Sequence, residues 1–234
     1  MTIGSIEGSG IVLLGANKLT VGSNNLTTTF SGIVEDGMGG GGVGGSLTKI
    51  GTGTLTISGP NTYTGVTTVS AGTLLVNTKP NSGTGTNKLK VNAGTLGGTG
   101  TIGGAVTVGT GSGPGAFLSP GTTGTGTLTL KKTLTFKPDA TYKFELKNSN
   151  AKADKVTAKG VTINSGALFS FIGLGSGILT QGTVFTAINN TAATPISGTF
   201  SNLADGSTLT ANGNNFQVSY EGGTGNDLTL TVVP

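Results

Sequence analysis

The sequence lacks the side chains with which most enzymes carry out their chemistry. It contains no cysteine, histidine, tryptophan or arginine, so that all 13 of its cationic side chains are lysines. Without cysteine there are no disulfides, no zinc–thiolate sites and no thiol nucleophiles. Without histidine the chain has neither the commonest general base nor the commonest metal ligand. We therefore predict that the protein is not an enzyme and uses no cofactor.

Charged residues and long apolar runs are also scarce. Only 9% of the 234 residues are charged, and the formal net charge is +4, a value too small to indicate a nucleic-acid partner by itself. No apolar run approaches the ~20 residues that a membrane-spanning helix needs. The first residues also lack the basic start and long apolar segment of a signal peptide. We expect a mature fragment to which Met1 was added.

Glycine, threonine and aliphatic residues make up most of what is present. The 45 glycines follow no Gly-X-Y period, which excludes collagen, and the 34% of apolar residues is sufficient for a core. In "GTLTISG" Leu55 and Ile57 point to one side while Thr54 and Thr56 point to the other. This period of two recurs along the chain and predicts short half-buried strands. Turn signals about ten residues apart fit a sandwich, a barrel or a solenoid.

Internal similarity favours the solenoid. "GTL" begins at Gly53, Gly72, Gly94 and Gly126, "NAGTLGGTGTIGG" resembles "SAGTLLVN", and "KLTVGSNN" resembles "KLKVNAG". Repeats of about 20 residues are typical of one solenoid coil. We therefore predict an all-β fold, a parallel β-helix (β-solenoid) of about ten coils and roughly 50 Å in length.

The two parts of the chain differ in the residues available for a core. Residues 1–130 are rich in glycine and threonine and are repetitive, which predicts regular coils. Residues 131–234 are predicted to form thicker coils of the same continuous solenoid, because phenylalanines gather there. These are Phe136, Phe144, Phe169, Phe171, Phe185, Phe200 and Phe216.

Residues 47–77, "LTKIGTGTLTISGPNTYTGVTTVSAGTLLVN", closely resemble the autotransporter-associated β-strand repeat of bacterial passenger domains. The resemblance implies a right-handed parallel β-helix exposed on or beyond a bacterial surface, and a stalk rather than a particular activity. In such passengers the distal region tends to be the stable, first-folding end. The matching residues are Leu47, Lys49, Gly51, Gly53, Thr54, Leu55, Gly59, Asn61, Tyr63, Thr64, Gly65, Ala71, Gly72, Thr73 and Leu74.

Two glycine-rich motifs have features of known binding loops, but neither fits completely. "EGGTGNDLTL" (221–230) resembles a calcium-binding nonapeptide, which makes Asp227 a calcium candidate. However, the motif occurs once and Thr229 stands where an aliphatic residue is required, so an ordinary turn is favoured. "GMGGGGVGGS" (37–46) lacks the Gly-Lys-Ser/Thr ending of a phosphate loop and is predicted to be a flexible surface loop.

Charged side chains offer two further hypotheses. Lys131, Lys132, Lys143 and Lys147 belong to a lysine-rich region that would bind a polyanion such as an acidic polysaccharide. Edge protection by solvated lysines is the favoured alternative, and the lack of arginine and scarcity of aromatics argue against nucleic acid. The nine carboxylates are scattered, and a polysaccharide depolymerase would need two of them together in a groove. Asp154, in "KADKV", is predicted to hold a turn.

The preferred function is structural. We predict a secreted or cell-surface bacterial protein that serves as a stalk or as a fibre subunit, with itself as the main partner. Stacking would use open strand edges at "IGSIEGSGIVLLG" and "NDLTLTVV", because neither end shows a helical cap. The alternatives are an adhesin or carbohydrate-binding module that binds surface glycans, and the depolymerase.

Overall fold

A computed structural model describes residues 1–37 and 43–234. The chain winds into a parallel β-solenoid of about 7 turns, which confirms the predicted fold class. The strands are short and follow the alternation in the sequence. In β7 (Thr54–Ile57), for example, Leu55 and Ile57 are buried and the two threonines are half-buried. In the described part of the chain, no helix is long and apolar enough to cross a membrane.

Three sheets run along the solenoid. Sheet 1 is parallel and contains, in spatial order, β1 (Thr2–Ile3), β3 (Lys18–Val21), β6 (Ser46–Lys49), β8 (Thr67–Val69), β10 (Leu89–Val91), β13 (Val106–Val108), β16 (Leu134–Phe136) and β20 (Val161–Ile163). Sheet 2 contains β4 (Thr28–Phe30), β7, β9 (Thr73–Val76), β11 (Gly94–Gly98), β14 (Ala116–Pro120) and β17 (Ala140–Lys147), and β17 also pairs with β18 (Lys152–Ala153) and β21 (Leu168–Gly173).

Sheet 3 combines parallel and antiparallel strands. It contains, in spatial order, β12 (Thr101–Ile102), β15 (Thr127–Leu130), β19 (Lys155–Ala158), β22 (Val184–Asn190), β25 (Asp227–Val233), β24 (Asn214–Gly222) and β23 (Thr208–Ala211). Near the N-terminus, β2 (Ile11–Leu13) pairs in parallel with β5 (Ile33–Glu35). The coils from residue 89 onward therefore contribute strands to all three sheets, whereas the coils with β6 to β9 contribute to sheets 1 and 2.

Like residues stack on like inside the solenoid. In sheet 2, Leu55 pairs with Leu74, which pairs with Leu96, and Leu118 follows. These leucines are at most 2% exposed, and full burial of one leucine stabilises the fold by about 1.5–3 kcal/mol. Three of the four "GTL" repeats lie in this column. The fourth, which begins at Gly126, leads into β15 of sheet 3.

Glycine occupies the corner between sheets 1 and 2. Gly51 and Gly72 have φ of +69° and +64°, which side chains other than glycine adopt only with strain. A Cβ atom on Gly72 would also clash with the carbonyl oxygen of Gly51 in the coil below. Successive coils can therefore stack closely at this corner only because both residues are glycine.

The prediction of about ten coils is wrong. The coils are unequal in length: Lys90 pairs with Thr107, whereas Thr20 pairs with Thr48 across a much longer connection. The last part of the chain also leaves the winding and forms antiparallel strands. Seven turns at ~4.8 Å each give a solenoid of about 34 Å.

The predicted open edge at the C-terminal strand is also wrong. β25 lies between β22 and β24 and is antiparallel to both. A turn at Gly222–Asn226, in which the N–H of Asn226 donates to the oxygen of Gly222, reverses the chain and allows this pairing. The edge strand of this part of sheet 3 is β23.

Aromatic side chains cover this end of the core. The Phe200 ring lies 5.1 Å from that of Phe136, and the Phe216 ring lies 5.5 Å from that of Phe171. Phe200 and Phe216 are 1% and 0% exposed. The C-terminal end of the solenoid is therefore closed by side chains from outside the regular coils. A domain division at residue 130 stays a prediction.

Candidate functional site

Lys49 is a charged residue inside an apolar column. It pairs with Val21 below and Val69 above and is 1% exposed. Its Nζ donates to the carbonyl oxygens of Ile50 at 2.6 Å, Gly51 at 3.1 Å and, more distantly, Ala71 at 3.5 Å. Burial lowers the pKa of the Lys49 ammonium. The side chain thus ties one coil to the next, a role that the repeat motif alone did not reveal.

Asp139 organises a loop rich in glycine. Its carboxylate accepts hydrogen bonds from the N–H groups of Thr110 at 3.1 Å, Gly111 at 2.6 Å and Gly113 at 2.9 Å, and from the Thr110 hydroxyl at 3.1 Å. Partial burial acts to raise the pKa of Asp139, but the backbone donors outweigh it and lower the pKa. The residue therefore serves a structural purpose in its ionised form.

Asp154 is fully buried and touches two separate segments. Its Oδ1 accepts from the N–H of Gly126 at 2.8 Å, and its Oδ2 accepts from the N–H of Glu145 at 3.1 Å. Burial raises the pKa of Asp154 to about 7, the nearby charge of Glu145 adds to this effect, and the two backbone hydrogen bonds oppose it. The turn role predicted for Asp154 from the sequence does not include this raised pKa, which depends on distant residues.

Glu145 and Asp154 are neighbouring acids, and they do not share a groove. Glu145 lines a groove of about 260 Å³ with threonines of sheet 2, including Thr73 and Thr95. Asp154 is 0% exposed and does not line it. The geometry expected of a depolymerase, two carboxylates facing one groove, is not formed by this pair.

The structure describes Asp227 and part of the second glycine-rich motif. Asp227 is buried, and its Oδ1 accepts from the N–H of Asn190 at 2.8 Å. Within the ranges 1–37 and 43–234, no three His, Cys, Asp or Glu side chains are grouped so that they could hold a metal ion. Half of the predicted flexible loop at 37–46 lies outside the described residues, because these exclude 38–42.

The four lysines of the predicted polyanion face lie in three places. Lys131 and Lys132 line a cleft of about 520 Å³ beside Asn61. Lys143 lies on the outer side of sheet 2, with its Nζ 3.9 Å from the centre of the Phe117 ring. Lys147 lines another cleft, of about 690 Å³, together with Lys152. The sequence cluster is therefore divided by the folding of the chain.

The larger cleft, called the β17–β18 cleft below, has walls from three segments. Lys147 and Lys152 belong to the first segment, Thr122 and Thr125 to the second, and Leu174 to the third. The cleft contains hydroxyl groups, two ammonium groups and a small apolar surface, a combination suited to binding rather than to catalysis.

Part of the chain matches a known family model. No curated protein matches the sequence. Residues 47–76 match the family model described as passenger-associated-transport-repeat. This segment includes β7, β8 and β9 and all of β6 except Ser46. These strands contribute Lys49 and two of the stacked leucines. The solenoid thus carries a passenger-associated-transport-repeat at residues 47–76, which confirms the resemblance to autotransporter-associated repeats.

Proposed function

We propose that the protein is a non-enzymatic structural element of the bacterial exterior, a passenger-type β-solenoid rod that stacks on a second copy through its N-terminal coil. The repeat at residues 47–76 supports a bacterial surface or extracellular location, because such repeats belong to passengers. A composition of stacked glycine, threonine and leucine supports a scaffold, since these residues supply packing and no reactive groups.

The observation that carries the proposal is the difference between the two ends of the rod. At the N-terminal end Ile3 and Val12 are only partly buried. Their stacking partners in the next coil, Val21 and Val34, are 1% and 2% exposed. The first coil is therefore covered on one side by the next coil, and β1 and β2 are edge strands of their sheets.

A second copy suits this surface because it offers strands and inward aliphatic residues of the same kind. Stacking would bury Ile3 and Val12 and pair the two edges, and exposed edges of this kind favour such pairing. Contact between two N-terminal ends produces a pair of rods. A fibre also uses the opposite end, where β23 is the edge strand.

Negative-stain electron microscopy and light scattering over a range of concentrations test this function. We expect particles that double in length as concentration rises, with filaments if β23 takes part. The variant Ile3→Lys/Val12→Lys should remain a single rod, because an edge lysine opposes pairing. The control Ile178→Lys adds a charge at a side chain that is 85% exposed and should assemble normally. Single rods at every concentration, or equal assembly of both variants, would refute the proposal.

A further inference from the structure

The hairpin between β17 and β18 places two like charges opposite each other. Lys147 and Lys152 are direct partners in an antiparallel pair, and both are exposed. Side chains at such positions lie on one face with Cβ atoms about 4.5–5.5 Å apart, and like charges there destabilise the pair. An anion placed between the two ammonium groups would convert this repulsion into two charge-assisted hydrogen bonds.

The turn that joins the two lysines is held in an uncommon conformation. A 3₁₀ turn at Asn148–Asn150 is followed by Ala151 with φ 49° and ψ 42°, the left-handed region that costs a non-glycine residue roughly 1–2 kcal/mol. The turn is anchored, because the Asn148 side chain donates to the oxygen of Gly177 at 2.7 Å. The two lysines are therefore presented by a fixed hairpin.

The threonine segment that lines the β17–β18 cleft, residues 122–125, is also fixed at both ends. Before Thr122, Gly98 and Gly121 exchange two backbone hydrogen bonds of 2.7 and 2.9 Å. After Thr125, the N–H of Gly126 donates to buried Asp154 at 2.8 Å. Because the backbone of both segments is held before a ligand arrives, binding would require little ordering of the main chain.

The side chains of the cleft indicate the chemistry of its ligand. Its volume of about 690 Å³ falls within the usual range of small-molecule sites, roughly 300–1,000 Å³. The described residues that line it include two lysines and several threonines but neither a carboxylate nor an aromatic ring. Positive charge requires an anion, hydroxyl groups match a hydroxylated ligand, and a nucleobase would require an aromatic platform.

We propose that the β17–β18 cleft binds a negatively charged sugar unit of an acidic polysaccharide, with Lys147 and Lys152 holding the anionic group and the threonine wall facing the sugar hydroxyls. This inference goes beyond the structural role and does not depend on self-assembly. Lys131 and Lys132, in the separate smaller cleft, are assigned no part in it.

Isothermal titration calorimetry of the full chain with trigalacturonate tests the site. We expect saturable binding of one ligand per chain, with an affinity reduced at least about tenfold, or ~1.4 kcal/mol, in Lys147→Gln/Lys152→Gln. The matched variant Lys131→Gln/Lys132→Gln removes the same charge and should bind within about twofold of the unaltered protein, or ~0.4 kcal/mol. Circular dichroism checks that both variants fold, as expected for exposed positions.

Three further probes define the ligand. Neutral maltotriose should bind at least about tenfold more weakly than trigalacturonate, and a sulfated disaccharide shows whether a sulfate ester replaces the carboxylate. Inorganic sulfate should bind more weakly than either acidic saccharide. No saturable binding of an acidic saccharide, equal losses in the two double variants, or sulfate binding as tight as saccharide binding would each overturn the proposal.

Discussion

Asp154 and Glu145 are joined by two hydrogen bonds that run in opposite directions. The N–H of Asp154 donates to the carbonyl oxygen of Glu145 at 2.8 Å, and the N–H of Glu145 donates to the Asp154 carboxylate at 3.1 Å. The same carboxylate receives the N–H of Gly126. One buried acid thus connects the end of β17 to the wall of the neighbouring cleft.

The stability of the protein should depend on the ionisation of Asp154. Its pKa of about 7 lies above the ordinary value of 3.8, so the folded chain holds this proton more tightly than the unfolded chain. The contribution of Asp154 to the free energy of unfolding is therefore greatest below about pH 4. It falls by up to about 4 kcal/mol as pH rises to about 7, and it is constant above that pH. Glu145, whose pKa burial also raises, acts in the same direction.

Urea unfolding of the unaltered protein and of Asp154→Asn between about pH 4 and pH 8 measures this effect. The amide cannot ionise, so the slope of stability against pH should become flatter in the variant. Equal slopes in the two proteins would show that Asp154 does not titrate in this range.

Loss of the Asp139 carboxylate should weaken the loop between Gly109 and Gly115. Asp139→Ala removes the acceptor of four hydrogen bonds, and we expect a loss of about 1–3 kcal/mol in the free energy of unfolding. Because the pKa of Asp139 is lowered, its stabilisation is present above the ordinary pKa of 3.8 and lost as pH falls below it. Urea unfolding at neutral pH provides the measurement. Glu7→Ala, at an exposed position, is the control, and an equal change in both variants would contradict the assignment.

Replacement of Lys49 should destabilise the repeat strongly. Lys49→Met keeps the length of the side chain but leaves the partly buried carbonyl groups of Ile50 and Gly51 without this donor. We expect a loss of about 2–3 kcal/mol, measured as a lower midpoint of urea unfolding. Lys90→Met, on an exposed position of the same sheet, should change stability by less than about 0.5 kcal/mol. A midpoint for Lys49→Met equal to that of the control would show that the buried ammonium adds nothing to stability.

Truncation after residue 130 should produce an aggregating fragment. Residues 1–130 would lose the strands that cover Val108 and Leu118, whose partners are Phe136 and Tyr142. These exposed aliphatic side chains and two open sheet edges favour association between chains. Size-exclusion chromatography and thermal unfolding of the fragment test this, and a soluble fragment that unfolds cooperatively would contradict it.

Much of the fold was predictable because it follows from local patterns in the sequence. Alternation placed Leu55 and Ile57 inside, and the spacing of "GTL" brought Leu55, Leu74 and Leu96 into one column. The repeat at residues 47–76 was recognisable because its glycines and threonines are fixed by corners and faces that every coil shares.

The features that were missed depend on contacts between distant residues. Alternation is the same in parallel and antiparallel strands, so it could not show that β25 pairs with β22 and β24. The burial of Asp154 depends on Gly126, and the opposition of Lys147 and Lys152 depends on a hairpin. The burial of Lys49 could have been predicted from the sequence. Lys49 lies two residues after Leu47, so alternation places both side chains on the same face of β6.

The unequal coils have a consequence for how such a molecule changes over generations. Lys90 and Thr107 are paired residues of neighbouring strands, as are Thr20 and Thr48, although the chain between the second pair is much longer. An insertion or deletion in a connecting segment therefore changes the length of one coil, while the strands on either side of it keep their register. The length of the solenoid depends on its number of coils, so the connecting segments can change in sequence and size without changing that length.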